Sequence, residues 1–292
     1  MNEMLATPPR RPNREFQVAA LSDADAVEHP IPVWERAWNQ GWLRKTLIVV
    51  ALAAIWQAYA SFIDNDLLFP TFADTMRAFF DNIASGVLPS RAWASVKVLL
   101  MGYTIGVTLA MLLSVLAINT RLGNDLLETL TSMLNPLPAI ALLPLALLWF
   151  GLGNASLVFV LIHSVLWVVA LNTHAGFLGV SSTLRMVGRN YGLRGLRYVR
   201  AILIPAAFPS ILTGLKVGWA FAWRTLIAAE LVFGVSSGAG GLGWFIFENK
   251  NQLEIPSVFA GLLSVILIGL AVENLVFRTL EARTVRRWGM QH

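Results

Sequence analysis

Six segments of about twenty mostly apolar residues recur along this chain, and they restrict its fold more than any other feature. A helix of that length crosses the roughly 30 Å of hydrocarbon in a bilayer. Only helices and closed barrels satisfy their backbone polar groups there, and the alternating pattern of barrel strands is absent from the sequence. The segments therefore predict an all-α, polytopic membrane protein with six transmembrane helices. We place the spans at residues 43–62, 94–117, 129–150, 154–177, 205–235 and 256–277.

The composition agrees with membrane insertion and divides the chain into two parts. Of the 292 residues, 56% are hydrophobic and 13% are charged, and the mean hydropathy is +0.63. This is more apolar material than the core of a soluble domain of this length needs. Residues 1–40 hold no apolar segment, so we expect a polar, disordered cytoplasmic tail. A six-helix transmembrane domain is expected over residues 41–288. The absence of cysteine excludes disulfides and thiolate metal sites.

Lysine and arginine side chains are distributed unequally between the connections of the predicted spans. Sixteen of the 22 fall on the side that carries both termini, and five of these lie in the fourth connection. The opposite side carries only Arg77, Arg91 and Lys250. Because positively charged connections remain in the cytoplasm, we expect both termini there. The net charge of +5 expresses this asymmetry and does not indicate binding of nucleic acid.

The fourth connection is arginine-rich between residues 185 and 200. Its pattern predicts a short amphipathic helix from Ser181, interrupted at Gly192 and Gly195, and then an apolar helix bent by Pro205 and Pro209 as it enters the membrane. Such a helix, turn and return form a compact protrusion that suits a groove in a partner protein. Positive charge alone suits any cytoplasmic connection, so a merely positive-inside loop is the alternative.

This protrusion resembles a cytoplasmic motif of the permease subunits of bacterial ABC importers. The motif reads Glu-Ala-Ala, three residues, Gly, nine residues, Ile, one residue, Leu-Pro, and it forms the coupling helix seated on the ATP-hydrolysing subunit. Here Met186, Val187 and Gly188 stand in place of Glu-Ala-Ala, and Gly192 is expected at a turn that needs a close approach. The matching residues and the arginines around them are the implied ATPase contacts: Arg185, Arg189, Gly192, Arg194, Ile202, Ile204 and Pro205.

Two further stretches narrow the resemblance to one group of these permeases. LNPLPAIALLPLALLWFGLG, residues 134–153, is similar to the proline-rich signature of the nitrate, sulfonate, taurine and bicarbonate permeases. AAELVFGVSSGAGGLGWFIF, residues 228–247, is similar to that group's Ala-Glu and Ser-Gly-x-Gly segment. The resemblance implies the type I ABC importer fold, a multi-pass location in the bacterial inner membrane, and no cofactor of the chain's own.

The same resemblance implies the partners and the cargo. The partners are a cytoplasmic ABC ATPase that binds the ATP, a second permease copy or a paralogue, an extracytoplasmic substrate-binding protein and the lipid bilayer. The implied cargo is a small organic or inorganic anion of the sulfonate, taurine, nitrate or aromatic carboxylate type. ATP hydrolysis is expected on the separate subunit, so the chain itself is not expected to be an enzyme.

Other short patterns point to other classes of protein, but their surroundings do not support them. Gly234 to Gly238 fits G-x-S-x-G with Ser236 as nucleophile, yet no strand precedes it. Gly238 to Gly243 fits G-x-G-x-x-G but follows a membrane helix, so a flexible connection is the expected use of these glycines. No Walker A sequence occurs, which leaves ATP to another subunit. A secondary transporter or a channel is the alternative class, although no inverted repeat is found.

Several residues within the spans are candidates for a translocation pathway or for breaking a span. Pro136, Pro138 and Pro144 predict that part of the third span is kinked or broken and covered by neighbouring helices or a cavity. His163 and His174 lie about 16 Å apart along one helix, too far to share a metal ion. The pathway candidates, for which packing or internal hydrogen bonds are the alternative, are Arg224, Trp223, Glu230, His163 and Asn172.

Arg224 is the most demanding of these candidates. It is expected near the middle of the membrane, where a bare charge costs about 2.5 to 3.5 kcal/mol and no acidic residue lies at matching depth. It then either bonds helix carbonyls or reaches towards Glu230, or it faces the pathway and attracts an anion. Lys216 and Glu273 lie at similar depth on the fifth and sixth spans and are expected to pair.

Overall fold

The structure is a computed structural model that describes residue 35 and residues 38–233 and 240–285. It consists of two compact units, residues 1–52 and residues 53–292. In the first unit, the described residues are mainly the first half of helix α1 (Gly41–Ile63). Most of the predicted polar tail, as well as Ser236, Arg286 and Arg287, lies outside the described residues. The division of the chain at residue 40 therefore stays a prediction.

The regular secondary structure in the described part of the second unit is helical. Over the described residues of both units, five continuous rods are long and apolar enough to cross a membrane: α1, α3, α6, α8 together with α9, and α11 together with α12. In chain order the helices after α1 are α2 (Phe72–Ala84), α3 (Val87–Asn119), α4 (Arg121–Leu134), α5 (Leu143–Phe150), α6 (Asn154–Leu178), α7 (Ser182–Asn190), α8 (Gly195–Tyr198), α9 (Ile204–Phe233), α10 (Leu242–Asn251), α11 (Ile255–Ala271) and α12 (Arg278–Arg283).

The third predicted span is broken, as its prolines indicate. Helix α4 and the segment that ends with α5 together have the length and apolarity of a span, but they meet at 88°. Pro136 and Pro138 lie in the bend, where they lack an N–H group and fix the backbone φ angle. The end of α5 is tied to α6, because the buried Ser156 hydroxyl lies 3.0 Å from the carbonyl oxygen of Ala146 and 2.6 Å from that of Gly151. Counting the bent pair as one span gives the six predicted crossings.

Two short helices, α2 and α10, are not predicted by the hydropathy pattern. Both are too short to cross a membrane, and each is fastened to a membrane-crossing helix by polar side chains. Arg91 of α3 pairs with Glu248 of α10 at 3.1 Å. The amide of Asn82 on α2 donates to the hydroxyl of Ser257 on α11 at 3.3 Å. These contacts place α2 and α10 against the ends of the rods.

The core of this unit is the contact of α6 with α3 on one side and with α9 on the other. Small residues let the backbones approach, because a Cβ atom at Gly106 of α3 would lie 2.9 Å from the Cβ of Val165, and one at Gly218 of α9 would lie 2.9 Å from a methyl group of Val169. The buried hydroxyl of Ser114 reaches across from α3 to a backbone carbonyl of α6 at 3.2 Å. Close packing of small residues and interhelical hydrogen bonds drive association where lipid is as apolar as the helices. Helix α6 is therefore the central element of the bundle.

Candidate functional site

The arginine-rich segment, residues 181–205, contains a helix that ends in a defined turn. Helix α7 is closed by a Schellman arrangement, in which the N–H of Leu193 donates to the carbonyl of Gly188 at 3.0 Å. In the same turn the N–H of Gly192 donates to the carbonyl of Arg189 at 2.9 Å. Gly192 has a φ angle of 72°, which side chains disfavour. The predicted break at Gly192 is confirmed.

The close approach within this segment occurs at Gly188, not at the motif glycine. A Cβ atom at residue 188 would lie 2.9 Å from the ring of Tyr198 and 3.0 Å from the side chain of Ile202. A Cβ atom at Gly192 would meet nothing within 4 Å among the described residues, so a close approach of the ATPase to this turn stays a prediction. Gly188 therefore lets α7 pack against the rod that leads into α9, and Gly192 supplies the backbone conformation of the turn.

Arg185 fastens α7 to the end of α6. Its guanidinium donates to the carbonyls of Phe177 at 2.6 Å and Leu178 at 3.1 Å, and its Nε donates to the carbonyl of Val180 at 3.0 Å. The last carbonyls of a helix lack partners within the helix, and the helix dipole favours a cation at this end. Arg185 is thus engaged within the chain, and its contact with an ATPase stays a prediction.

The outer face of the arginine-rich segment combines positive charge with exposed apolar surface. The side chains of Arg189 and Arg194 are exposed and make no ion pair or hydrogen bond with any described residue. Both line a pocket of about 420 Å³ beside Tyr198. Tyr191 and Leu196 are 82% and 73% exposed. Arginine together with aromatic side chains is the composition enriched at protein–protein interfaces.

The remaining motif residues lie where the segment joins the membrane helix. Ile202 and Ile204 are half-buried, and Ile204 packs against the buried end of α6 and its neighbours. Pro205 is in the first turn of α9 and has no N–H to offer the carbonyl of Ala201. A π-helical turn, Val199–Leu203, precedes the proline and accommodates this missing donor. The arginine-rich segment thus continues into α9 as one rod.

Glu230 lies in a closed polar cluster near the other end of α9. Its carboxylate is 4% exposed, and both oxygens lie 2.8 Å from the hydroxyl of Ser95 on α3. The N–H of Gly243 donates to this carboxylate at 2.9 Å, and the N–H of Leu242 donates to the Ser95 hydroxyl at 2.8 Å. The first N–H groups of a helix lack helical partners and favour an anion, so Glu230 caps α10. In this conformation the carboxylate offers no surface to a transported solute.

The glycines after α9 are closely packed where the structure describes them. A Cβ atom at Gly241 would collide with the carboxylate of Glu230 and the hydroxyl of Ser95, and one at Gly243 would lie 2.6 Å from the Cβ of Glu230. Gly241 and Gly243 therefore let neighbouring helices approach closely, as expected, and the expected movement of the connection stays a prediction. Residues 234–239, which complete this connection, lie outside the described residues.

Trp223 and Asn172 also face neighbouring helices of the same chain. Trp223 is 6% exposed, and its indole N–H donates to the carbonyl of Val265 on α11 at 3.2 Å. The amide of Asn172 donates to the carbonyl one turn earlier at 2.8 Å, and its Cβ would lie 2.8 Å from a Cβ atom placed at Gly214 of α9. Both side chains hold helices together in this conformation, and their place on a pathway stays a prediction.

Arg224 contacts neighbouring residues of its own helix, α9. Its Nε donates to the carbonyl of Ala220, one turn earlier on α9, at 3.1 Å. The guanidinium carbon lies 4.9 Å from the centre of the Phe221 ring, which adds a cation–π contact. The structure thus shows a bond to a helix carbonyl, and a place for Arg224 on a pathway stays a prediction. The side chain is nevertheless exposed on the surface of the chain.

Lys216, a further cation within the spans, has a different main partner from the one expected. Its ammonium group lies 2.6 Å from the carboxylate of Glu281 and 4.0 Å from that of Glu273. Glu281 lies on the same continuous rod as Glu273 but further along it, in α12. The hydropathy pattern does not indicate which of the two carboxylates pairs with Lys216. The pair with Glu273 is thus secondary to the pair with Glu281.

His163 lies on the wall of a pocket that the break in the third span creates. This bend pocket has a volume of about 160 Å³. Across it the hydroxyls of Ser164 and Thr225 lie 3.3 Å apart, which joins α6 to α9. Among the described residues, no three histidine or carboxylate side chains lie close enough together to hold a metal ion. The pocket is lined by residues 135–139 of the bend, His163, Ser164, Trp167 and Val168 of α6, and Phe221 and Thr225 of α9.

A helical membrane bundle with a broken third span and an arginine-rich protrusion continuous with a spanning helix is the architecture of a type I ABC importer permease. Residues 102–286 match the family described as the binding-protein-dependent transport system inner membrane component. The chain belongs to this family, since the match covers more than half of it.

Individual relatives agree with this assignment. A putative ABC transporter permease of Methanocaldococcus jannaschii is 31% identical over 75% of this chain and 83% of the relative. The putative aliphatic sulfonates transport permease SsuC of Bacillus subtilis is 28% identical over 85% of this chain and 88% of its own. The nitrate import permease NrtB of Synechocystis is 27% identical over 80% of this chain and 86% of its own.

A solved structure supports the fold. The crystal structure of an amino acid ABC transporter with histidines matches 72% of this chain and 98% of that chain with a TM-score of 0.53 at 19% identity. The chain is therefore a multi-pass permease subunit of an ABC importer and not an enzyme. ATP hydrolysis takes place on a separate ATPase subunit, and a substrate-binding protein delivers the cargo. The alternatives of a secondary transporter or an ATP-independent channel are not supported.

Proposed function

We propose that this chain forms one half of the membrane pathway of an importer for a small anion. A second copy or a paralogue supplies the other half, because six crossings enclose little space by themselves. The observation that carries the proposal is the attachment of α7 to two spanning helices at once. Arg185 holds it to the end of α6, and the contact at Gly188 holds it to the rod that becomes α9. The chain needs no cofactor of its own, since the partner ATPase binds the ATP.

The distribution of positive charge supports the orientation. The end of the bundle with α7 carries the five arginines of the fourth connection, and Arg121 and Arg283 belong to the same side. The other side carries only Arg77, Arg91 and Lys250, of which Arg91 is paired with Glu248. Under the positive-inside rule α7 and both termini are cytoplasmic, in the inner membrane of a bacterial cell.

The outer face of α7 and the turn after it is the proposed ATPase contact. Exposed Tyr191 and Leu196 supply apolar contact, and Arg189 and Arg194 supply charge. ATP binding closes the ATPase pair and moves this face. Because Arg185 fastens α7 to α6, and Gly188 lets α7 pack against the rod that becomes α9, the displacement reaches both helices and changes the central cavity from inward-open to outward-open. The substrate-binding protein then delivers the anion from the outside.

The anionic cargo is supported by two kinds of observation. The relatives SsuC and NrtB are named for aliphatic sulfonates and for nitrate, which are both small anions. Arg224 places an exposed guanidinium within a membrane-spanning helix. Ionisable side chains at such depth usually mark a pathway for a solute or an ion. A short sulfonate or nitrate is the cargo that these observations favour.

The proposed contact can be tested by cross-linking, because the chain has no cysteine of its own. Cysteine in place of Tyr191 should cross-link to the ATPase subunit and react with impermeant reagents only in inverted vesicles. Cysteine in place of Leu68, which is 71% exposed in the connection between α1 and α2, is the matched control. It should react only from the outside and should not cross-link to the ATPase. Labelling of position 191 from the outside, together with labelling of position 68 only in inverted vesicles, would contradict the proposed orientation.

The proposed cargo can be tested by uptake into proteoliposomes that contain the complete transporter. Arg224→Gln should reduce ATP-dependent uptake of the anion, Arg224→Lys should keep part of it, and neither should abolish basal ATP hydrolysis. Lys216→Met removes a paired cation from the same helix and is the control for loss of charge alone. Normal uptake by Arg224→Gln with reduced stability of the complex would assign Arg224 a structural role.

A further inference from the structure

The bend pocket has the position and the size of a binding site for a small solute. Trp167 lies near the centre of α6 and Phe221 near the centre of α9, so the pocket is about halfway along both helices. Irregular backbone at membrane depth persists where protein covers it or where it lines a cavity. The volume of about 160 Å³ corresponds to about five water molecules at about 30 Å³ each. A solute of a few heavy atoms fits this space.

The pocket wall carries buried polar atoms that lack partners. The indole N–H of Trp167 has no hydrogen-bond partner among the described residues. The imidazole of His163 interacts with the backbone of Leu134, which leaves at least one ring nitrogen without a partner among them. Trp167 is 7% exposed, and its ring packs edge-on against the imidazole at 6.2 Å. Unpaired buried polar groups are rare because leaving them without a partner costs free energy. His163 and Trp167 therefore have hydrogen-bonding capacity, unused within the described residues, that a partner in the pocket could take up.

The charge around the pocket favours an anion as that partner. None of the described residues that line it is an aspartate or a glutamate. The groups on its wall are an imidazole, an indole N–H and the hydroxyls of Ser164 and Thr225, all of which can donate hydrogen bonds. The guanidinium of Arg224 lies 4.9 Å above the ring of Phe221, which is itself part of the wall. The positive charge thus stands beside the pocket.

The pocket also lies between the two helices that the arginine-rich segment joins. The hydrogen bond between Ser164 and Thr225 crosses from α6 to α9. Any displacement of α7 that moves these helices unequally changes the width of the pocket. Binding in the pocket and closure of the ATPase would then be linked through α6 and α9. Two sites are coupled in this way when both bias the same conformational change.

We propose that the bend pocket is a subsite for the oxoanion group of the transported solute. His163 and Trp167 donate hydrogen bonds to the anionic oxygens, and Arg224 supplies positive charge beside Phe221 in the pocket wall. The ring faces of Trp167 and Phe221 contact the short organic part of a sulfonate or carboxylate. The subsite rests on the proposed import of a small anion and names the place in this chain where that anion is recognised.

Cysteine labelling tests the subsite in the complete permease–ATPase complex in nanodiscs. Ser164→Cys places a thiol of nearly the same size in the pocket of a chain that otherwise lacks cysteine. Its reaction rates are compared for two methanethiosulfonate reagents, one with an ethylsulfonate group and one with an ethyltrimethylammonium group. Ser61→Cys, at the exposed end of α1, corrects for the intrinsic reactivity of the reagents. Thr225→Cys repeats the measurement on the facing helix, in case the first variant does not assemble.

The measured quantity is the ratio of the reaction rate of the anionic reagent to that of the cationic reagent. This ratio should be at least about tenfold higher at residue 164 than at residue 61. Ethanesulfonate should protect residue 164 and not residue 61. Adding Arg224→Gln should reduce the preference for the anionic reagent. Adding Trp167→Phe removes one donor to a charged group and should weaken the protection by about tenfold.

The possible outcomes separate the subsite from the proposed function. Equal rates for the two reagents, no labelling of either pocket cysteine, or no protection in a complex that still imports a sulfonate or nitrate would overturn the subsite alone. If the wild-type transporter imports neither anion, the proposed cargo fails. A preference for the anionic reagent with protection by ethanesulfonate, in a transporter that imports the sulfonate, is the result that the subsite requires.

Discussion

Replacing Arg185 by glutamine should detach α7 from α6 without changing the outer face of the arginine-rich segment. The guanidinium makes three hydrogen bonds, to the carbonyls of Phe177 and Leu178 at the end of α6 at 2.6 and 3.1 Å and to that of Val180 just after it at 3.0 Å. A net hydrogen bond contributes about 0.5 to 1.5 kcal/mol, and the half-buried position of Arg185 favours the lower part of this range. A cation at a helix C-terminus adds about 0.3 to 1 kcal/mol. The attachment is therefore worth about 2 to 3 kcal/mol.

This magnitude is sufficient to disconnect the ATPase from the membrane helices. Coupling free energies between two sites are typically about 1 to 3 kcal/mol, so loss of the attachment removes a comparable amount. In the reconstituted transporter, Arg185→Gln should keep basal ATP hydrolysis and assembly with the ATPase. It should lose most of the stimulation of ATP hydrolysis by the loaded substrate-binding protein. The stimulation ratio in proteoliposomes is the measurement.

Arg189→Gln is the matched control for this experiment. It makes the same chemical change one turn further along α7, at an exposed arginine without a partner among the described residues. It should weaken ATPase binding in a salt-dependent manner and leave the stimulation intact once the ATPase is saturating. Arg185→Lys, with one ammonium group, should restore part of the stimulation. Full stimulation in Arg185→Gln would refute the argument that the attachment of α7 to α6 transmits the movement.

Three further substitutions test the geometry at other places. Gly192→Ala should cost about 1 to 2 kcal/mol because its φ angle is 72°. Gly86→Ala, at a left-handed glycine with φ 75° before α3, should cost about the same without lowering ATPase stimulation. Equal uncoupling by both would contradict a specific role for the turn. Glu230→Gln should lower the melting temperature of the purified subunit by the equivalent of about 1 to 3 kcal/mol, since an amide cannot accept every hydrogen bond that the carboxylate accepts. An unchanged melting temperature would show that the cluster around Glu230 does not stabilise the fold. Gly106→Leu should lower the same melting temperature. The Cβ atom of the new side chain would lie 2.9 Å from the Cβ of Val165 and would force α3 away from α6. Such overpacking costs about 1 to 3 kcal/mol or more. A variant as stable as the wild type would argue against this close packing.

The features that sequence reasoning identified are those that depend on neighbouring residues along the chain. The membrane spans follow from the length and apolarity of each segment, and the break in the third span follows from Pro136 and Pro138. The end of α7 follows from Gly192, because a glycine after a short amphipathic segment commonly adopts the left-handed conformation. The short helices α2 and α10 were not predicted because they are too short to register as membrane spans. A local signal existed for α2, since Thr71 and Asp74 form an N-terminal cap three residues apart.

The polar contacts between helices could not be predicted in the same way. Ser95 and Glu230 are 135 residues apart in sequence, and Arg185 turns back to carbonyls of the preceding helix instead of facing outward. Lys216 meets Glu281 more closely than Glu273. A spanning helix that is apolar on all sides does not indicate which side faces a neighbour, so its hydropathy leaves its rotation and its depth undetermined. One weak signal was available for packing, since the small residues Gly102, Gly106, Ala110 and Ser114 recur every fourth position on α3.

The sequence by itself determined that this chain crosses a membrane repeatedly, which of its ends is rich in arginine, and which family motifs it carries. These properties depend on the types of residues within each segment. They do not depend on where the other segments lie in the folded chain. Only the tertiary structure decided that Arg185 is attached to α6, that Glu230 is enclosed by Ser95 and the start of α10, and that His163 lines a pocket at the bend. Those contacts depend on the packing of α3, α6 and α9, where small residues determine how closely and in which register the helices meet.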